Sequence, residues 1–150
     1  MYVRSGQGGG GSSLKDVYRN IVITNPNGYT SYALSPYSSR CTISEGGVVD
    51  DTINHTIYVY ADYTVTSNQP TSSAFTMMTV TNMGNDKMPY VYVSSSLVRG
   101  YATMTTDESS TQPTKSMCVN YVSSAVSIVR ASGQGANAND HYIIYGSWKY

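Results

Sequence analysis

The residues from Thr56 to Val65 form the longest uninterrupted alternation of side-chain character in this chain. Its odd positions are apolar or aromatic: Ile57, Val59, Ala61, Tyr63 and Val65. A period of two residues is typical of a β-strand with one buried face, whereas a helix repeats every 3.6 residues. We therefore predict a central strand over these ten residues.

Turn signals separate this strand from others. The clearest is Asn25-Pro-Asn-Gly28, because Pro26 presets a turn and Gly28 accepts positive φ. It predicts a β-hairpin between strands at 18–24 and 29–34. Further strands are predicted at 40–44, 74–81, 90–94, 101–105, 117–131 and 141–150, with loops at 45–51 and 107–115. At Met77-Met78 the alternation slips, which predicts a bulge or burial on both faces.

Composition supports the same fold class. Only three leucines and two glutamates are present, against 15 tyrosines, so good helix formers are scarce. About eight strands between turn-rich loops predict an all-β fold, an antiparallel β-sandwich of jelly-roll or immunoglobulin-like type. We expect one domain over 14–150, preceded by a flexible Gly/Ser-rich N-terminal arm over 1–13.

Charge is scarce and balanced: charged residues are 12% of the chain, with nine basic and nine acidic. A free monomer usually keeps more charge on its surface, so the deficit favours a surface that faces other protein. The alternative is a neutral monomer covered by hydroxyl groups. Only Arg4 precedes Lys15 in the arm, so we expect no direct contact with nucleic acid. No apolar run suits an export leader or a membrane span.

No catalytic motif is evident. Asp140 could orient His141 as a base, but neighbouring strand residues point to opposite faces and no Gly-x-Ser-x-Gly elbow is present. We therefore expect no enzyme, and neither a cofactor nor a metal. The pairs Asp50-Asp51 and Asp107-Glu108 are predicted to be solvated loops rather than calcium ligands. We expect Cys41 and Cys118 to be buried thiols, with a bridge between neighbouring strands as the alternative.

The tyrosines suggest where contacts lie. Tyr58 and Tyr60 project opposite the apolar side of the central strand, and Tyr90 shares a face with Tyr92. Aromatic residues on the second face of a sheet imply that this face is covered too. The predicted subunit or ligand contacts are Tyr58, Tyr60, Tyr90, Tyr92, Tyr142 and Trp148. Each of them could instead fill the core.

These observations predict a non-enzymatic structural subunit of a large assembly. We expect a phage or viral virion protein, from the capsid, a decoration, the tail or a fibre, assembled in the host cytoplasm as a homo-oligomer or with other virion proteins. The alternative is an extracellular or cell-surface sandwich that binds carbohydrate in the manner of a lectin or adhesin, with Trp148 stacked on a sugar ring.

Overall fold

The structure is a computed structural model that describes residues 13–69, 75–93, 96–99, 102–109, 117–122, 125–130 and 137–150. A helix, α1 (Leu14–Arg19), runs into a π-helical turn (Asn20–Thr24), and a 3-10 turn spans Asn85–Lys87. The strands are β1 (Thr30–Tyr32), β2 (Leu34–Pro36), β3 (Cys41–Asp51), β4 (Thr56–Val65), β5 (Phe75–Val80), β6 (Tyr90–Val93), β7 (Ser96–Arg99), β8 (Ala102–Ser109), β9 (Met117–Val122), β10 (Ala125–Arg130) and β11 (His141–Lys149).

Nine of these strands form two antiparallel layers that share one strand, β8. The first sheet has the order β1-β3-β4-β11-β8, and the second continues as β8-β9-β10-β5-β2. β8 pairs with β9 through 102–104 and with β11 through 105–109, so it crosses between the layers. β1 and β2 make a similar crossing on either side of Ala33. The predicted all-β sandwich is confirmed. β6 and β7 form a separate hairpin.

The main core lies between the two sheets. All five odd residues of β4 are fully buried there, as the alternation predicts. β11 follows the same rule, because Tyr142, Ile144 and Trp148 enter this core while Ile143 and Tyr145 face the other side of the sheet. In β5, both Met77 and Met78 are buried, and the pairing with β10 shifts register beside them. The predicted bulge is therefore confirmed, and both methionines enter the same core rather than opposite faces of the sheet.

β3 differs from the prediction, which placed a loop over 45–51. It is one strand of 11 residues with a bulge at Ser44. The extra residue changes the parity of the strand, so Ile43 and Val48 both face inward. A Cβ on Gly46 would lie 3.0 Å from the Tyr60 carbonyl oxygen and 3.2 Å from the Ala61 Cα. Glycine here permits close approach of two strands rather than a turn.

Only the turn and the second arm of the predicted hairpin at 18–34 are confirmed. Its turn is present, with Asn25 at φ 48° and Gly28 at φ 66°, and its second arm becomes β1 and β2. Its first arm is helical, because Tyr18, Ile21 and Val22 lie three and four residues apart and pack together on the first sheet. Strand propensity in Ile21-Val-Ile23 yields to this packing. The predicted flexible arm, apart from Ser13, lies outside the described residues.

Candidate functional site

The outer face of the first sheet carries a second apolar cluster, separate from the main core. We call it the outer-face cluster, and it consists of Val49, Tyr58, Tyr60, Ile143 and Tyr145. Residues 13–24, the N-terminal helical segment, cover it, and Val22 is buried at the centre of the contact. A Cβ on Gly47 would lie 3.6 Å from Val22 Cγ1, so a glycine lets the segment lie close to β3.

Two polar contacts fix the segment on this face. The Arg19 guanidinium donates from Nε to Glu45 Oε1 at 2.7 Å and from Nη2 to Glu45 Oε2 at 2.6 Å. The hydrogen bond and charge of Glu45 raise the pKa of Arg19. The Tyr18 hydroxyl lies 2.9 Å from the Ser147 hydroxyl, and the Tyr18 ring packs 5.2 Å from that of Tyr145. The segment is therefore positioned by specific contacts as well as by apolar packing.

Two aliphatic side chains of α1 remain exposed beside the residues that pack on the sheet. Leu14 is 57% exposed and Val17 is 37% exposed, and they lie three residues apart on one face of the helix. The glycine-rich stretch from Gly8 to Gly11 precedes them in the chain. These two side chains leave apolar surface exposed on α1.

The structure places Tyr58 and Tyr60 in the outer-face cluster, as expected from their alternation. Tyr60 is 5% exposed and Tyr58 is partly buried; the Tyr58 ring stacks on that of Tyr29, with a 5° angle between the planes. Burial raises the pKa of both phenols. The cover inferred from these tyrosines is supplied by this same chain, so little of either ring is left for a partner.

Tyr142 and Trp148 were also predicted as subunit or ligand contacts, but both are buried. Tyr142 is fully buried between the sheets, and Trp148 is 6% exposed, with its Nε1 donating to the Lys87 carbonyl oxygen at 2.6 Å. Neither ring is accessible to a subunit or a sugar in this fold. Tyr90 and Tyr92 lie in β6, but their side chains are outside what the structure describes.

The histidine considered as a base has a different carboxylate beside it. His141 Nε2 lies 2.5 Å from Asp62 Oδ1 on the outer face, whereas Asp140 is buried and accepts a hydrogen bond from the backbone NH of Asn137. Asp140 and His141 therefore do not form a pair. The other histidine, His55, lies in the β3–β4 turn and packs against the Tyr150 ring. Neither arrangement supplies a nucleophile.

Both acidic pairs lie in strands, so the loops predicted at these positions are wrong. Asp50 and Asp51 end β3 and are both buried, and Asp107 with Glu108 lies within β8. Asp50 faces inward and accepts a hydrogen bond from the Tyr150 hydroxyl, with Lys87 Nζ 3.3 Å from its other oxygen. Among the described residues, no group of three His, Cys, Asp or Glu side chains is placed to hold a metal.

Cys41 is buried with a free thiol that donates to the Ser38 and Met77 carbonyl oxygens. Its burial agrees with the prediction. Cys118 lies in β9, but its side chain is not among those that the structure describes.

Comparison with known protein families, with characterised proteins and with solved structures finds no match to this chain. In the described part of the chain, no helix has the length and apolar character needed to cross a membrane.

Sequence reasoning missed the residues that build the outer-face contact. The apolar residues of this segment follow helical spacing: Leu14, Val17, Tyr18, Ile21 and Val22. In addition, acidic Asp16 lies in the first turn of α1 and basic Arg19 lies at its end, where each charge favours a helix. The helical spacing was therefore present in the sequence, but the strand propensity of Ile21-Val-Ile23 led to the prediction of a strand. No sequence signal identifies Glu45 as the partner of Arg19, because the two residues meet only through the tertiary fold.

Proposed function

We propose that this protein is a non-enzymatic structural subunit of a large assembly, a virion protein of the capsid, decoration, tail or fibre class. The observation that carries the proposal is the pair of exposed aliphatic side chains on α1, Leu14 and Val17. Each is four residues from a side chain that packs on the sheet, Tyr18 or Ile21, so a second protein that covers them would extend this apolar contact. The low charge of the chain, 12% charged residues with a net charge of zero, is consistent with extensive protein contact.

The test is the mass of the native species in solution, by sedimentation velocity and negative-stain microscopy of the full chain. We expect rings, tubes or shells. Full burial of a Leu or Val side chain contributes about 1.5–3 kcal/mol, and part of each is already buried here. The double substitution Leu14→Ser and Val17→Ser is therefore expected to weaken association by roughly tenfold or more at each contact.

Ile53→Ser is the matched control. Ile53 is 87% exposed in the β3–β4 turn, so this change removes exposed apolar surface away from α1. It is expected to leave assembly unchanged. A wild-type chain that stays monomeric at every concentration would refute the proposal, as would equal effects of the α1 and turn substitutions.

The carbohydrate-binding alternative loses its main aromatic contact, since the Trp148 ring is buried and its Nε1 is hydrogen-bonded. The hydrolase alternative loses the Asp140–His141 pair. Neither is retained as a proposal.

A further inference from the structure

The N-terminal helical segment is attached to the sandwich through side chains. Apart from regular helix pairing, its described backbone hydrogen bonds are local. The amides of Asp16 and Val17 donate to the Ser13 carbonyl oxygen, and the Asn25 amide donates to the Asn20 carbonyl oxygen. No strand of the described sheets pairs with it. It can therefore leave the outer-face cluster without breaking a β-ladder.

The chain between this segment and β1 is held in an unfavourable conformation. Asn25 is left-handed, with φ 48° and ψ 56°, and it immediately precedes Pro26. A residue before proline favours extended backbone, so the left-handed conformation is unfavourable here even though asparagine adopts it more readily than other non-glycine residues. The Asn25 side chain maintains the bend, because its Oδ1 accepts from the Tyr29 amide and its Nδ2 donates to the Tyr29 carbonyl oxygen, both at 2.9 Å.

An extended linker would relieve this strain and carry the segment away from its own sheet. The outer-face cluster would then be uncovered, along with the Glu45 carboxylate and the Ser147 hydroxyl. The surface that fits this site best is the same segment of another copy, since it restores every contact. Exchange of an identical element between copies creates an interface at low energetic cost, and high local concentration in an assembly favours it.

We propose that residues 13–24 of one copy pack on the outer-face cluster of a second copy, with Asn25–Gly28 as the hinge. This inference rests on the proposed function, because it needs an assembly that brings copies together. The outer-face cluster of each copy would then be covered by residues 13–24 of a neighbouring chain.

The test uses two cysteine variants, Val22→Cys and Gly47→Cys, each in the full chain. The short distance between Val22 Cγ1 and a Cβ at position 47 places these positions within disulfide reach. The two variants are mixed, unfolded, refolded together and oxidised. Exchange predicts a disulfide between residue 22 of one chain and residue 47 of another, located by peptide mass. Each variant treated alone is the control for disulfides between like positions and for Cys41 and Cys118.

The same two substitutions in one chain complete the test. Exchange predicts covalent dimers or longer ladders, whereas packing within one chain gives a cross-linked monomer. Particles that contain only intrachain 22–47 disulfides would overturn the exchange and leave the proposed function standing. A monomer with intrachain disulfides would overturn both.

A charge-reversal pair tests the contact without cysteine. Arg19→Glu and Glu45→Arg each place like charges against one another in the chain that carries them. When the two variants are mixed, exchange restores opposite charges in both interfaces, so assembly should recover. Packing within each chain predicts no recovery.

The hinge provides a further measurement on the cysteine pair. Pro26→Ala removes the preference of Asn25 for extended backbone. It is expected to reduce the yield of interchain 22–47 disulfide severalfold, and an unchanged yield would refute the role of Pro26 in the hinge.

Discussion

The Tyr150 hydroxyl donates a hydrogen bond to Asp50 Oδ1 at 2.7 Å, linking the residue after β11 to the end of β3. Asp50 lies opposite Ile57 in the β3–β4 pairing, on the inward face, and is 1% exposed. Lys87 Nζ lies 3.3 Å from its Oδ2 and 4.5 Å from the centre of the Tyr150 ring. A carboxylate at a core position is thus tolerated because a phenol donates a hydrogen bond to one oxygen and an ammonium group forms an ion pair with the other.

Tyr150→Phe should therefore destabilise the fold. The substitution keeps the ring beneath Lys87 but leaves one oxygen of a buried carboxylate without its donor, which costs about 1–3 kcal/mol. Urea unfolding followed by circular dichroism measures the change in the free energy of unfolding. Tyr121→Phe, at a ring that is 39% exposed, is the control and should have little effect. Equal stability of the two variants would contradict this role for Tyr150.

The adjacent glycines of β3 should respond differently to alanine. Gly46→Ala places a Cβ against the backbone of Tyr60 and Ala61, so strain of about 1–3 kcal/mol is expected. In Gly47→Ala the new Cβ makes only ordinary contacts with Val22 and the Tyr32 carbonyl oxygen, and the expected change is below about 1 kcal/mol. Thermal and urea unfolding of both variants measure the difference. The opposite ranking would show that β3 and β4 do not approach closely at Gly46.

Acid should weaken the β3–β4 turn through Asp51. Its carboxylate accepts from the Asn54 side chain and from the amides of Asn54 and Ile53, and these bonds, that of the Asn54 side chain foremost, lower the pKa of Asp51. A lowered folded-state pKa gives stability that is present above the unfolded pKa of about 4 and is lost as the pH falls through the folded value.

Asp51→Asn should therefore be less stable than wild type at neutral pH, and the gap should narrow in acid. Unfolding free energies measured across the acid range test this. Asp86→Asn removes an exposed carboxylate elsewhere and serves as the control. A gap that stays constant with pH would show that ionised Asp51 does not stabilise the turn.

Alkaline conditions should act through the buried phenols. Burial raises the pKa of Tyr63, which accepts a hydrogen bond from Gln69 Nε2 at 2.8 Å. A raised folded-state pKa contributes stability that is complete below the unfolded value of about 10 and is lost at higher pH.

Tyr63→Phe should consequently reduce the fall in stability above about pH 10. Unfolding at several alkaline pH values, with phenolate absorbance followed in parallel, provides the measurement. Tyr37→Phe changes a ring that is 52% exposed and is the control. If Tyr37→Phe reduced the alkaline loss as much as Tyr63→Phe, burial of Tyr63 would not explain it.

The sequence itself determined the strands whose alternation survives folding. In β4 and β11 each side chain faces the side that its parity predicts, because a pleated strand turns successive residues to opposite faces whatever lies beside it. The turn at Asn25–Gly28 is equally local, since it depends on φ values that asparagine and glycine accept. These features need no knowledge of distant residues.

The tertiary structure alone decided the rest. Ile21-Val-Ile23 has strand propensity, yet it becomes helical because helical spacing buries Val22 against Val49, Tyr60 and Tyr145. Gly46 signals a turn in sequence, yet it lies in a strand because the Tyr60 backbone approaches too closely for a Cβ. The balance depends on contacts between residues far apart in the chain, whose energies exceed the small local differences in backbone propensity.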